Sequence, residues 1–132
     1  MKRSRWRHGL AWATLPVLML LAAWPWQRAL PPRGDAAADA AQVARGRRLV
    51  EHFQCGACHR IDGVAQARGT LGPALTGLAQ RSYIAGRLPN HGDMLARWIA
   101  DPPALVPDTA MPVLGVREDQ AHDIAAYLRT LP

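Results

Sequence analysis

Apolar residues recur at helical spacing in three places along the chain. Val43, Gly46, Val50 and Phe53 follow one another at intervals of three and four with Leu49 beside them, while Arg45, Arg47, Arg48 and Glu51 fall off that stripe. Residues so spaced share one helical face, so a helix is predicted from Asp39, a candidate N-cap, to about Gln54. Towards the other end Ala121, Ile124, Ala125, Leu128 and Leu131 form a second stripe. Glu118 and Asp119 in its first turn and Arg129 in its last complement the helix macrodipole. Between them Met94, Leu95, Trp98 and Ile99 predict a short helix that opens near Gly92-Asp93 and stops at Pro102-Pro103. No run alternates apolar with polar residues and β-branched residues are scarce, so no strand is predicted. Residues 59–90 and 100–115 are rich in Gly and Pro, with at most a weak helical turn from Leu78 to Ile84. The pattern is all-α: three to four short helices joined by long irregular connections.

The first 26 residues follow a different rule. Lys2, Arg3, Arg5 and Arg7 precede an uncharged run of eighteen residues, Gly9 to Trp26. A basic start before an apolar run is a membrane-targeting signal, either a cleaved secretory leader or a retained helix with its basic end in the cytoplasm. The run's length favours retention, since a spanning helix needs ~17–25 residues and a leader's apolar region ~7–15. Trp6 and Trp12 near one end and Trp24 and Trp26 at the other resemble interfacial belts. Pro16, Pro25 and the small residues of Ala36–Ala41 speak for cleavage. Either outcome exports the rest of the chain. The sequence thus divides into a membrane anchor or signal segment (1–26), an Ala/Pro-rich tether (27–41) and one folded domain (42–132).

The net charge of +6 in 132 residues suggests an anionic partner until its distribution is examined. Four of the basic residues precede residue 9, and from Arg28 onward twelve basic face ten acidic residues, leaving +2. The excess is an address, and no nucleic-acid partner is expected. Arg45 and Arg48 share a helical face, either a plainly solvated one or a patch for an acidic partner. A domain of this size with so few regular elements falls short of a self-sufficient core, and a large apolar cofactor would supply the missing part.

Cys55-Gly56-Ala57-Cys58-His59 supplies the means of holding one. Two thiols three positions apart can add to the two vinyl groups of a haem, and the adjacent imidazole then lies under the iron. The competing uses of a Cys-x-x-Cys pair are less well served. A redox-active dithiol would sit in a βαβ pattern, which is absent, and a zinc site would need four ligands where only His52, His91 and His122 remain as scattered candidates. Export agrees with haem, because thioether bonds protect both sulfurs from oxidation to a disulfide.

The segment Asp101-Pro102 through Val106-Pro107-Asp108-Thr109-Ala110-Met111-Pro112 resembles the Met-ligand loop of class I (monohaem) cytochromes c. The likeness extends over roughly Val43 to Leu131 through LGPALTGLAQRSYIAGRLPN, LARWIADP and AYL. It is closest to the cytochrome c domains fused to subunit II of haem-copper oxidases. It implies a cytochrome c fold around one covalently attached haem c, with iron ligands His59 and Met111. Met94, on a helix, is the competing methionine. The resemblance further implies that the Pro73 carbonyl accepts from the outer nitrogen of His59, that Arg81 reaches a haem propionate, and that Trp98 packs on the haem. Thr109 would cap a propionate, and Gly46 with Tyr127 would form a close crossing of first and last helices. Two departures stand out: Leu49-Val50 where relatives often carry an aromatic, and Arg117 where many have a Ser or Thr cap. The copper-binding domain of an oxidase subunit II does not occur in this sequence.

The function implied is single-electron transfer in a respiratory chain, without catalysis of its own. A quinol-oxidising complex would be the donor, a haem-copper oxidase the acceptor, and the bacterial inner membrane, with the domain in the periplasm, the location. If the leader is cleaved, the product is a secreted periplasmic protein. The alternatives are a fixed electron-entry subunit of an oxidase or reductase, a haem-based redox or gas sensor, and a haem catalyst with an open distal pocket.

Overall fold

The computed structural model describes residues 33–91 and 93–132, with side chains from Asp39 onward. The expected membrane segment lies outside the described residues, as do the first residues of the tether. Among the described residues no helix is long and apolar enough to cross a membrane. One compact unit comprises Ala38–Pro132.

Four α-helices carry it: α1 (Arg33–His52), α2 (Met94–Ala100), α3 (Pro102–Leu105) and α4 (Glu118–Leu128). Asp39 lies within helix α1 rather than capping it, and residues 33–41 of the tether are helical. The Ala-rich residues 36–41 have no stripe to bury, but alanine gives up the least side-chain freedom in a helix. Helix α4 starts as its stripe predicts and buries Ala121, Ile124, Ala125, Tyr127 and Leu128, but it ends at Leu128, with Arg129 as its C-cap rather than in its last turn and Leu131 buried beyond it. In place of a Ser or Thr cap, the Arg117 N–H donates to Gln120 Oε1 (3.1 Å), and the Arg117 guanidinium grips Asp119 at 2.8 and 3.1 Å.

Helix α2 packs on α4, and α3 follows it directly. Pro102-Pro103 therefore open a helix as well as closing one. Proline's fixed φ suits a first helical turn, and Asp101 Oδ1 accepts from Ala104 N–H (3.3 Å) as its cap. The expectation that strands are absent is corrected by a two-residue hairpin, β1 (Tyr83–Ile84) against β2 (Leu88–Pro89), antiparallel with Ile84 opposite Leu88. Its turn places Ala85 (φ 50°) and Gly86 (φ 72°) in the left-handed region. The weak helical turn expected over Leu78 to Ile84 is a single 3-10 turn, Leu78–Gln80, that runs into this hairpin.

Helices α1 and α4 cross at Gly46. A Cβ there would overlap the Asp123 carbonyl oxygen and lie 2.8 Å from Tyr127 Cβ. Beside the crossing, Arg45 holds both carboxylate oxygens of Asp123 at 2.7 and 2.9 Å, and this bond raises the Arg45 pKa. Arg45 is thus paired within the domain while its side chain stays half exposed.

Candidate functional site

Helix α1 ends because Gln54 takes a left-handed conformation (φ 53°), after which Cys55–Ala57 form a 3-10 turn. The His59 N–H donates to Cys55 O (3.0 Å), so the first cysteine and the histidine are one turn apart and the motif forms a compact loop. A second loop lies along it. Gly72 N–H donates to Cys58 O (2.8 Å) and Leu75 N–H to Arg60 O (2.9 Å). Gly72 has to be glycine, since a Cβ would stand 2.6 Å from His59 Nδ1 and closer still to Cε1.

That approach seats the imidazole against Pro73, with His59 Nδ1 2.7 Å from the Pro73 carbonyl oxygen. A carbonyl can only accept, so Nδ1 carries the hydrogen and Nε2 keeps its lone pair for an electrophile. Burial pushes the Cys55 thiol above its ordinary pKa, which keeps it neutral near pH 7.

These groups form one wall of a cavity of about 920 Å³, at the upper end of the ~300–1,000 Å³ of small-molecule and cofactor sites. Leu78, Leu95, Ile99, Val106, Ile124 and Leu128 supply its apolar interior. All eight residues singled out from the sequence line it: Cys55, Cys58, His59, Pro73, Arg81, Trp98, Thr109 and Met111. Trp98 is buried on α2. Met111 is half-buried in the loop after α3, where its N–H donates to Thr109 Oγ1 (3.2 Å). Asp108 of the same loop meets Arg87 of the hairpin turn at 3.7 Å.

Arg81 lines the cavity with part of its guanidinium already engaged. Its Nη2 donates to Ala74 O (2.6 Å) and Thr76 O (2.8 Å), leaving Nε and Nη1 as the groups able to reach a carboxylate in the cavity. Thr109 likewise uses its oxygen as an acceptor within its own loop. Met94 packs against the core away from the cavity wall. His52 and His91 are exposed, and His122 lies 4.0 Å from Asp93. Among the described residues no cluster of three or more His, Cys, Asp or Glu could hold a metal ion.

Sequence reasoning missed several contributors. Leu71, Leu75, Ile84 and Leu114 line the cavity, and Asn90 braces the turn behind Arg81. Leu71, Leu75, Ile84 and Asn90 lie in the stretch LGPALTGLAQRSYIAGRLPN, but it and the segment that holds Leu114 are Gly/Pro-rich and have no periodicity to single these residues out.

The residues fit haem. Paired thiols and an imidazole with a free Nε2 stand on one wall, a thioether lies on the same lining, and the interior is apolar. No solved structure matches the chain. Residues 43–132 match the family model described as Cytochrome c. Cytochrome c oxidase subunit 2 of Alkalihalophilus pseudofirmus is 36% identical over 88 residues, a match covering 66% of this chain and 25% of the relative. The chain thus spans a quarter of that protein's length. With the attachment motif, the cavity it opens on and the family match over the same residues, the chain belongs to the cytochrome c family.

Proposed function

We propose that this protein is a membrane-tethered, monohaem electron carrier of a respiratory chain, with its domain on the periplasmic side of a bacterial inner membrane. Its cofactor is the covalently attached haem c of its family. When bound, the haem supplies one-electron chemistry, alternating between ferric and ferrous iron.

The chain's own residues do the rest. The Cys55 and Cys58 sulfurs would form the thioether links that attach it, and His59 Nε2 and Met111 Sδ would be its iron ligands. Pro73 fixes the imidazole tautomer and increases its basicity through the 2.7 Å bond. Trp98 and the aliphatic interior exclude water, which raises the reduction potential together with the thioether ligand. Arg81 Nε and Nη1 and the Thr109 hydroxyl hydrogen serve the propionates. With His59 and Met111 both held by the iron, the group would supply electron transfer rather than substrate chemistry, so we read the domain as a carrier.

The observation that carries this reading is the convergence of those eight residues on one cavity. Absorption spectroscopy tests it. The reduced protein is expected to show a c-type α-band that survives acid-solvent extraction. The oxidised protein is expected to show the weak red band of methionine-to-ferric charge transfer, lost in Met111→Ala. An unchanged red band in that variant would remove Met111 as the ligand.

The relative named cytochrome c oxidase subunit 2 favours a second reading, a fixed electron-entry subunit of an oxidase or reductase. Co-purification with a haem-copper enzyme in detergent distinguishes it from a free carrier.

A further inference from the structure

Behind the cavity wall, a chain of hydrogen bonds leads back to His59 from a residue that does not line the cavity. Asn90 Nδ2 donates to Leu78 O (2.7 Å) and to Arg81 O (3.0 Å), at the two ends of the 3-10 turn Leu78–Gln80. Its backbone N–H donates to Ser82 O (2.9 Å), so the hairpin returns the chain to the turn it has just left. The turn presents the Arg81 guanidinium, and Arg81 Nη2 holds the carbonyls of Ala74 and Thr76. These follow Pro73, whose carbonyl accepts from His59 Nδ1.

We infer that Asn90 is a positioning residue for the redox centre: through the Leu78–Arg81 turn and the Arg81 clamp on Ala74 and Thr76, it sets the Pro73 carbonyl that governs the basicity of His59. This rests on the assignment of His59 as proximal ligand.

Another feature separates Asn90 from ordinary core filling. Its Oδ1 is sealed from solvent without a hydrogen-bond partner. A buried unpaired oxygen is costly, and an apolar residue of similar size would avoid that cost. What the carboxamide alone provides is an NH₂ group that reaches two carbonyls at once.

The sign of the effect is fixed by the ligand. Loosening the Pro73 bond makes the imidazole a weaker donor, which disfavours the ferric state and raises the potential. Removing the Arg81 charge beside a propionate would lower it, because a nearby cation favours the reduced, less positive centre. The direction therefore reports which contact has been disturbed.

The experiment compares holoprotein wild type, Asn90→Ala, Asn90→Ser, Arg81→Lys and, as a matched control, Val50→Ala, which removes buried volume from α1 away from the cavity. Three quantities are read: the midpoint potential, the solvent exchange rate of the His59 Nδ1 proton by NMR, and stability to denaturant. Asn90→Ala and Arg81→Lys are expected to raise the potential and to speed that proton's exchange roughly tenfold relative to Val50→Ala at equal stability, the loss of about one hydrogen bond. Asn90→Ser, which keeps one donor, is expected to fall between wild type and Asn90→Ala, and gives the answer if the alanine variant fails to fold. If Asn90 variants lose stability while potential and exchange follow Val50→Ala, the residue is merely structural and the inference is wrong. A lowered potential would also overturn it. Failure of the underlying haem reading would be visible separately, as a wild-type protein with no c-type spectrum.

Discussion

Gly46 sits where α1 crosses α4, and what a side chain would meet there is the backbone carbonyl of Asp123, which cannot rotate aside. Overpacking costs ~1–3 kcal/mol where neighbours can adjust, so Gly46→Ala is expected to destabilise by about 3 kcal/mol or more. A fall in the denaturation midpoint at unchanged slope would show it. Asp119 provides a test of charge. Its hydrogen bonds from Arg117 hold the carboxyl below the ordinary carboxylate range, so folding favours the ionised form. The stabilisation is present above the unfolded pKa of ~3.9 and disappears as pH falls through the lower folded value. Arg117→Ala should return the Asp119 titration, followed by NMR, to the ordinary range; a curve unchanged from wild type would mean that the pair contributes nothing. The pair is exposed, so its worth to stability is small.

At the scale of elements, the turn of the hairpin contains one residue at odds with its backbone. Ala85 adopts φ 50°, a conformation that L-residues with a Cβ occupy at a cost of ~1–2 kcal/mol. A Cβ-free residue escapes that cost and returns part of it as unfolded-state entropy, so Ala85→Gly should stabilise by about 0.5–1 kcal/mol. Thermal unfolding of the holoprotein would reveal the shift. The same hairpin was illegible in the sequence because two residues per strand are too few to alternate. Helices α2 and α4 were legible because each presents a stripe to the same core. The start of α1 was not, since the Ala-rich sequence of Ala36–Ala41 has no apolar stripe and only alanine's helix propensity speaks for it. The site divides similarly. Cys55, Cys58 and His59 are contiguous and state their chemistry by spacing, and Met111, Pro73, Arg81 and Trp98 were found through resemblance. Asn90 was missed, because its role is defined by carbonyls of residues nine and twelve positions away.

For the whole molecule, the question is whether the unit from Ala38 can close its core unaided. Domains of this size are stable by only ~0.05–0.15 kcal/mol per residue, a margin that one substantial packing defect removes. The cavity of about 920 Å³, lined by Leu95, Trp98 and Ile99 of α2, by Ile124 and Leu128 of α4 and by the loops, is the space a cofactor would have to fill to avoid such a defect. Among the described residues four large hydrophobics are exposed, and three of them, Leu71 at 88%, Tyr83 at 61% and Leu114 at 41%, line that cavity. Interiors pack as densely as organic crystals, so the residues that line so large a space hold their places only when it is filled. A protein with Cys55→Ser and Cys58→Ser together should therefore lose its pigment and, with it, cooperative folding. Far-UV dichroism would keep part of its helical signal while near-UV dichroism collapses and the thermal transition broadens, the signature of a chain with secondary structure but no fixed packing. The contrary outcome, a colourless variant unfolding sharply at the wild-type midpoint, would mean that Leu95, Ile99, Ile124 and Leu128 suffice as a core and that the cofactor is only a passenger.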